Sequence, residues 1–430
     1  MSAVETGGQG RKLAVGSAAH SFGLRLAAFY AALFVIYGIH LPYLPVWLDK
    51  RGLSAEEIAT ITAAPFFLRA FITPTVAMLA DRTARHRALI NALAWLTLVL
   101  ALLLSQMQSF WAIFLLAVPF SITLSTIMPL TETIAVAGVR AHGLDYGRMR
   151  LWGSLTFVTA GFVGGWLIDH TGATAVLACL IAGTVATVAT AWLLPEKIER
   201  APAADPAAGT DPAGTLSHQA PMRGGSIEEA WKLVSSPVFL AFLLAAGAAQ
   251  GSHGMVYTFG ALTWRAEGIS TAWVGALWAI AIGGEVLLFA YSGRVVRRWG
   301  PVALLIGATT AAIVRWITMT LSPPLIGLIP LQVLHTLTYG ASHLGAMHFI
   351  ARAVPESAQG TAQALYATVA SGLLMGTATL TSGWLYGKVG ALAYLAMAAL
   401  ATAGFAGALY VGARWQGGLL WTGTTATPRP

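Results

Sequence analysis

Long apolar runs, separated by short polar segments, fill most of the sequence. Each run holds roughly 20 residues or more, the length that an α-helix needs to cross the hydrocarbon core of a bilayer. The pattern therefore predicts an all-α membrane protein with twelve transmembrane helices. The predicted spans are residues 22–47, 56–80, 88–106, 110–138, 148–168 and 173–194, then 238–264, 271–293, 301–321, 324–351, 357–386 and 390–413.

Basic residues alternate along the loops between these runs. Loops after the second, fourth, eighth and tenth runs are rich in arginine, whereas the other loops hold few cations or none. Cytoplasmic loops carry the excess of Lys and Arg, so both termini and the central linker are predicted to be cytoplasmic. The arginine-rich loops contain Arg82, Arg85 and Arg87, then Arg140 and Arg148, then Arg294, Arg297 and Arg298, and finally Arg352.

A polar stretch divides the runs into two sets of six. It is rich in Ala, Pro, Gly, Asp and Thr, a composition typical of a flexible linker. Near its end, Ile227, Ala230, Trp231 and Val234 share one face of a predicted interfacial helix. The predicted divisions are a disordered cytoplasmic N-terminus (1–21), a six-helix half (22–194), a cytoplasmic linker with the amphipathic helix (195–236), a second six-helix half (237–413) and a cytoplasmic tail (414–430).

Composition excludes a soluble protein. Of the 430 residues, 57% are apolar and 10% are charged, whereas soluble domains carry about 25% charged residues. The net charge of +8 comes from cations between the apolar runs rather than from one basic patch, so we expect no nucleic-acid partner. The single cysteine, Cys179, excludes an intrachain disulfide, and no His/Cys/carboxylate spacing predicts a metal site or another cofactor.

Five charged side chains lie well inside predicted spans: Arg69, Glu132, Arg150, Glu285 and Arg315. Each costs at least about 2.5–3.5 kcal/mol to insert, so each is a functional candidate. Several histidines also lie within the predicted spans. Of these, His335 is the main candidate for a proton relay, and His40 and His343 are further candidates. His253 and His348 are interpreted as packing or interfacial groups.

Counting residues from the predicted turns places four of these charges in two pairs at matching depth. Glu132 and Arg150 are each nine residues from Ala141 (141 − 132 = 9; 150 − 141 = 9), and Glu285 and Arg315 are each fifteen from Gly300. Opposite charges at one depth on adjacent helices can compensate each other. Each pair is therefore either part of a substrate site or a structural ion pair that holds two helices together.

The tally of buried charge favours an anionic substrate. Three arginines face two glutamates when the histidines are neutral, which leaves one positive charge in the membrane. A carboxylate-bearing solute would cancel it. The Arg69 side chain either lines the substrate cavity or extends to the membrane–water interface.

Two loops carry a related motif. The second span ends in Asp81-Arg82-Thr-Ala-Arg85, and the eighth is followed by Arg294-Val-Val-Arg297-Arg298. These resemble the signature loops of the major facilitator superfamily, with Ala77 and Ala84 in place of the usual glycines. The resemblance implies two rocking halves and a gate formed by Asp81, Arg82, Arg85, Arg294 and Arg298.

The resemblance covers nearly the whole chain apart from its termini and linker. The segments Pro42-Tyr43-Leu44-Pro45, Tyr146–Ser154, Gly284-Glu285, Val314-Arg315-Trp316 and Gln332–His343 are most similar to the phenylpropionate permease family and more distantly to lactose permease. Similarity to lactose permease implies a substrate-binding pair, Glu132 and Arg150, and a proton-coupling cluster, Glu285, Arg315 and His335. Its proton-releasing glutamate is replaced by Thr338, so the carrier here is either Glu285 or His335.

These observations predict a secondary transporter rather than an enzyme. We expect proton-coupled uptake of a small organic acid, such as a 3-phenylpropionate-like aromatic monocarboxylate, with Glu132, Arg150, Arg69 and His40 binding the substrate. The alternatives are a sugar or nucleoside symporter and a drug or metabolite exporter. The predicted setting is a monomer in the inner (plasma) membrane of a bacterium, whose partners are its substrate, protons and lipid. The lack of a Walker A motif disfavours ATP-driven pumping.

Overall fold

A computed structural model describes residues 3–196 and 227–421, with side chains described from Ala19 onward. The described residues form helices joined by short turns, with no strand among them. The α-helices are α1 (Ala3–Lys50), α2 (Ala55–Thr83), α3 (His86–Gln106), α4 (Phe110–His142), α5 (Tyr146–Thr171), α6 (Ala175–Ala191), α7 (Ile227–Val234), α8 (Pro237–Gly251), α9 (Gly254–Ala266), α10 (Thr271–Ala290), α11 (Ser292–Met319), α12 (Leu325–Val333), α13 (Ser342–Ala353), α14 (Gln359–Ala367), α15 (Met375–Val389) and α16 (Tyr394–Arg414).

All twelve predicted spans coincide with helical structure, but the count of long helices differs. Nine helical segments among the described residues are long and apolar enough to cross a membrane, and α6 is a shorter apolar helix. One segment, Glu356–Arg414, has 59 residues, roughly 88 Å of helix, which is far longer than one crossing of about 30 Å. A break at Gly390, where φ is 57°, divides it between the last two predicted spans.

Three predicted spans are interrupted by a turn or by irregular helix. Ser252 and His253 form a turn between α8 and α9, and the π-helical turn Thr336–Ala341 separates α12 from α13. A second π-helical turn, Thr368–Leu374, separates α14 from α15. Discontinuous helices and π-bulges in membrane proteins occur frequently at functional sites, because they leave backbone groups available for other partners.

The described contacts group into two compact units. Unit 1 comprises Met1–Leu53, Phe71–Pro212 and Ser270–Ala276, and unit 2 comprises Ser54–Ala70, Ala213–Ile269 and Leu277–Pro430. Within unit 1, α1 packs mainly on α5 and α6, and α3 packs on α4. Within unit 2, α16 packs on α8 and α11, and α11 also packs on α13.

The segments outside the predicted spans are only partly described. Helix α1 begins at Ala3, inside the stretch 1–21 for which the sequence predicted disorder. Most of the predicted linker, residues 197–226, lies outside the described residues, as do residues 422–430 of the predicted tail. In α7 the apolar side chains of Ile227 and Trp231 are 91% and 70% exposed, and Leu233 is buried.

The two motif loops share a backbone feature that the sequence did not reveal. Ala84, between α2 and α3, has φ 53°, and Gly300, within α11, has φ 70° and ψ 168°. Each residue lies two positions after an arginine of its motif. A positive φ is easy for glycine and strained for alanine, so Ala84 occupies a position that favours the glycine it replaces.

Substitutions at these two positions should have opposite effects on stability. Ala84→Gly should stabilise the protein by about 0.5–1 kcal/mol, because relief of an αL strain of about 1–2 kcal/mol exceeds the entropic cost of glycine. Gly300→Ala should destabilise it by about 1–3 kcal/mol, since a Cβ there meets nothing within 4 Å and only the backbone geometry resists it. Thermal unfolding of the purified protein in detergent measures both, and a lower melting temperature for Ala84→Gly would contradict the expectation.

Candidate functional site

A fully buried arginine organises the polar interior of unit 2. Arg315 is 1% exposed. Its Nη1 donates to His335 Nδ1 at 3.0 Å and to Thr338 Oγ1 at 3.2 Å, and its Nη2 donates to Gln332 Oε1 at 2.9 Å. All three acceptors follow one another along α12 and the π-helical turn. The guanidinium also lies over the Trp316 ring, 4.6 Å from its centroid.

Glu285 joins this network through His335 rather than by direct contact with Arg315. His335 Nε2 lies 2.7 Å from Glu285 Oε1, and Glu285 makes no ion pair with Arg315 in the described part of the chain. The sequence placed the two charges at matching depth as a pair. In the structure an imidazole separates them, because His335, just before the π-helical turn, contacts both Glu285 of α10 and Arg315 of α11.

Hydrogen-bond direction fixes the state of this imidazole. A guanidinium only donates, so His335 Nδ1 must accept and carries no proton. In a neutral ring the other nitrogen then holds the proton, and His335 Nε2 donates to the Glu285 carboxyl group. The order Arg315, His335, Glu285 is therefore a directed chain of hydrogen bonds from a cation to a carboxyl group.

His253 belongs to the same network, contrary to its interpretation from sequence as a packing or interfacial group. It is fully buried at the turn between α8 and α9. Its Nδ1 lies 3.0 Å from the carbonyl oxygens of Ala249 and Gln250, and its Nε2 lies 3.0 Å from Thr338 Oγ1. Since carbonyls only accept, Nδ1 carries the proton of the neutral ring and Nε2 accepts from the threonine hydroxyl.

Two glycines allow the helices that carry the network to approach closely. A Cβ on Gly284 would overlap Thr336 Oγ1, and a Cβ on Gly340 would come within 2.9 Å of Leu288 Cδ2. Both glycines belong to motifs that the sequence singled out. Their physical role is to bring α10, and with it Glu285, against the π-helical turn.

The predicted pair in unit 1 is looser. Arg150 Nε lies 3.9 Å from Glu132 Oε1, and the two side chains are 26% and 28% exposed. The Arg150 guanidinium instead stacks on aromatic rings of α1, 3.9 Å from the centroid of Phe34 and 5.5 Å from that of Tyr30. Tyr30 and Tyr146 lie close enough to Glu132 to interact electrostatically with it.

These aromatic partners were not identified from the sequence. Tyr30 and Phe34 lie four residues apart, one turn of α1, a spacing that places both on one face. That spacing alone does not distinguish a cation-binding face from ordinary packing, because apolar membrane helices carry many such pairs.

The two remaining substrate-binding candidates lie in different units. His40 Nε2 lies 3.1 Å from Ser121 Oγ in unit 1. Arg69 belongs to unit 2, where its Nη2 donates to the Ser371 carbonyl at 2.9 Å. Ser371 lies in the second π-helical turn, so Arg69 binds irregular backbone.

The predicted gate residues lie at the C-terminal end of α2, immediately before α3 and at the start of α11. Asp81 contacts His86 Nε2, the first residue of α3, at 3.0 Å. Arg82, Arg85, Arg294 and Arg298 are exposed. Arg294 lies over the Tyr291 ring, 5.7 Å from its centroid.

Asp169, in the last turn of α5, is a contact residue that the sequence analysis missed. Its two carboxylate oxygens accept from the backbone N–H groups of Thr271 and Ala272 at 2.9 and 3.0 Å, within unit 1. Tyr43 donates to the carbonyls of Gly161 and Thr271 beside it. The carboxylate thus caps the N-terminus of α10, where the helix dipole favours a negative charge.

Known proteins resemble this chain over most of its length. The sequence model of the "MFS_1 like family" matches residues 23–397. The "Probable 3-phenylpropionic acid transporter" of Escherichia coli (strain K12) is 31% identical over 388 residues, covering 87% of this chain and 93% of that protein. The "Maltose permease" of Geobacillus stearothermophilus is 29% identical and covers 83% of this chain and 86% of that protein.

A solved structure extends the similarity to the fold. The crystal structure of the nucleoside transporter NupG has a TM-score of 0.73 against this chain, at 14% sequence identity, and covers 91% of this chain and 99% of that one. At that identity the likeness concerns the fold alone.

The Thr338 hydroxyl should prove essential to the network of unit 2. Thr338→Val leaves one Arg315 hydrogen-bond donor and His253 Nε2 without this partner, and we expect a loss of about 1–3 kcal/mol in stability. Thr309→Val is the matched control, because the buried Thr309 hydroxyl bonds only to carbonyls of its own helix. Equal melting temperatures of the two variants would show that the Thr338 contacts add no more to the stability of the protein than a hydroxyl bonded within its own helix.

Proposed function

This chain belongs to the MFS_1 like family, a family of major facilitator membrane transporters and not of enzymes, and we propose that it takes up a small organic acid together with protons. The acid is an aromatic monocarboxylate resembling 3-phenylpropionate. The protein is a multi-pass membrane protein. On the proposal it works by alternating access in the bacterial inner membrane, as a monomer with both termini in the cytoplasm.

The observation that carries the proposal is the directed chain from Arg315 through His335 to Glu285. A proton added to His335 Nδ1 would break the hydrogen bond from Arg315, since that nitrogen must accept. A proton added to the free oxygen of Glu285 breaks no such bond. Glu285 is therefore the proton carrier, and the two imidazoles are neutral groups that position it and Arg315.

The organic acid follows from charge and from similarity. Among the described residues, Arg315 donates only to neutral acceptors. Glu285 loses its negative charge whenever it carries a proton. The protonated state then holds an excess buried positive charge that an anionic substrate compensates. The "Probable 3-phenylpropionic acid transporter" of Escherichia coli (strain K12) is 31% identical to this chain, which supports an aromatic ring on the acid.

The remaining candidates complete this mechanism. Glu132, Arg150, His40 and Arg69 are the further residues that we propose to bind the substrate. The loop residues Asp81, Arg82, Arg85, Arg294 and Arg298 act as the gate, exchanging partners between states.

A neutral, hydroxyl-rich substrate is the second candidate. Glu132 Oε1 is buried without a hydrogen-bond partner among the described residues, and a carboxylate oxygen of this kind accepts from hydroxyl groups. A maltose permease is 29% identical to this chain. Sugar or nucleoside symport would use the same proton-coupling network.

Transport by purified protein in proteoliposomes tests the first proposal. An inward proton gradient should drive accumulation of labelled 3-phenylpropionate by the wild type. Glu285→Gln should reduce accumulation to the level reached without a gradient and keep exchange of internal for external substrate, because it binds the acid and carries no proton. Glu356→Gln, an exposed carboxylate outside the network, should behave as wild type.

Other results would redirect or overturn the assignment. Accumulation of maltose or nucleosides without competition by carboxylates would favour the second candidate. Gradient-driven accumulation by Glu285→Gln would remove Glu285 as proton carrier. Unchanged flux in Arg150→Ala would show that the Glu132–Arg150 pair is a structural ion pair and does not bind the substrate.

A further inference from the structure

A small cavity lies beside Arg315 within unit 2. Its volume is about 10 Å³, enough for about one water-sized group. Its lining combines aromatic, aliphatic and polar side chains. Its lining comprises Val256, Tyr257, Trp264, Trp278, Ala281, Arg315, Gln332 and His335.

Three lining side chains hold a hydrogen-bond donor that no described residue accepts. They are Nε of Arg315, Nε2 of Gln332 and Nε1 of Trp278. The three residues are 1%, 3% and 9% exposed. Buried N–H groups without partners each cost about 1–3 kcal/mol, so three around one cavity indicate a place built to hold an acceptor.

The electrostatics favour a charged acceptor. Arg315 is held by an imidazole nitrogen, a hydroxyl and an amide oxygen, all of them neutral. The nearest carboxyl group of the network, Glu285, is separated from it by His335. A water molecule would leave this buried charge uncompensated and would need acceptors for its own two protons, whereas a carboxylate offers about four lone-pair sites and no donor.

We propose that this cavity binds the carboxylate of the transported acid, with Arg315, Gln332 and Trp278 as its donors. This assignment rests on the proposed function and refines it by placing the carboxylate at Arg315 in unit 2 rather than at Arg150. The Arg150 guanidinium stacks on Phe34 and Tyr30 and has Glu132 beside it, so its charge is partly compensated already. The cavity holds about one water-sized group, so the carboxylate end enters it and the rest of the acid lies outside it.

A small inorganic anion such as chloride shares this chemistry. The two sources differ in size, because only the acid has a remainder that extends beyond the cavity. They are distinguished by whether the cavity variants change the binding of the acid or only the binding of chloride.

Two substitutions test the cavity with the full-length protein in detergent. Trp278→Phe removes one donor and keeps the ring, and Gln332→Glu places a carboxylate next to Arg315. The probe is 3-phenylpropionate, with 3-phenylpropanol as its neutral counterpart, and the readouts are the Kd and the ligand-induced rise in melting temperature. Trp273→Phe, an exposed tryptophan on the same helix, is the matched control.

We expect the wild type and Trp273→Phe to bind 3-phenylpropionate equally, in chloride or gluconate buffer. Trp278→Phe should weaken that binding about tenfold or more, the loss of one hydrogen bond to a charged group. Gln332→Glu should abolish it, and neither variant should change the weak binding of the alcohol. Trp278→Phe retains the packing volume of a ring, so it remains informative if Gln332→Glu fails to fold.

The outcomes separate the two levels of the proposal. If the wild type binds and transports the acid and Trp278→Phe matches it, the cavity is not the carboxylate site and the proposed function stands. If chloride stabilises the wild type and not Gln332→Glu, while neither Trp278→Phe nor Gln332→Glu changes the binding of the acid, the cavity is an inorganic-anion site. If the wild type neither binds nor transports carboxylates, the proposed function falls and this assignment falls with it.

Discussion

A guanidinium buried inside a membrane protein has to direct its N–H groups at acceptors, and Arg315 imposes this constraint on unit 2. An unpaired charge at such a site is among the most costly features a membrane protein can contain. The chain supplies neutral acceptors at positions 332, 335 and 338, which a regular helix would distribute over about one and a half turns. The π-helical turn that begins at Thr336 lets the last of them, Thr338, reach the same guanidinium as His335.

The interruption between α8 and α9 follows from the same requirement. His253 lies in that turn, and its imidazole satisfies the Thr338 hydroxyl. Gln250, one helical turn earlier on α8, donates to the Tyr339 carbonyl and to Ser342 Oγ, which ties α8 to the π-helical turn. Two irregular segments that would each weaken an isolated helix thus stabilise each other, because each supplies the partners that the other lacks.

Sequence patterns predicted the helices and the charged residues, but only part of the way in which they meet. Hydropathy and the cost of buried charge identify Glu285, Arg315 and His335 without any coordinates. They cannot order them, since depth along a helix does not specify rotation about its axis, and His335 therefore lies between the two charges that were expected to pair. The role of His253 was not predicted for a related reason. An imidazole in an apolar run gives the same sequence pattern whether it packs against its neighbours or joins a hydrogen-bond network. The positive φ at Ala84 escaped because it departs from the local preference of alanine.

Thr338 connects the arrangement of the network with the kind of solute proposed. The resemblance to lactose permease places a glutamate at this position. A carboxylate there would neutralise Arg315 within the protein, and a second negative charge from an acidic ligand would then meet repulsion as well as attraction. With a threonine, the hydrogen-bond geometry around Arg315 is kept while its charge is left uncompensated at contact distance. In the proposed function, the substrate supplies the missing negative charge. The replacement of glutamate by threonine at position 338 thus accounts for both the neutral network and the proposed preference for an acid.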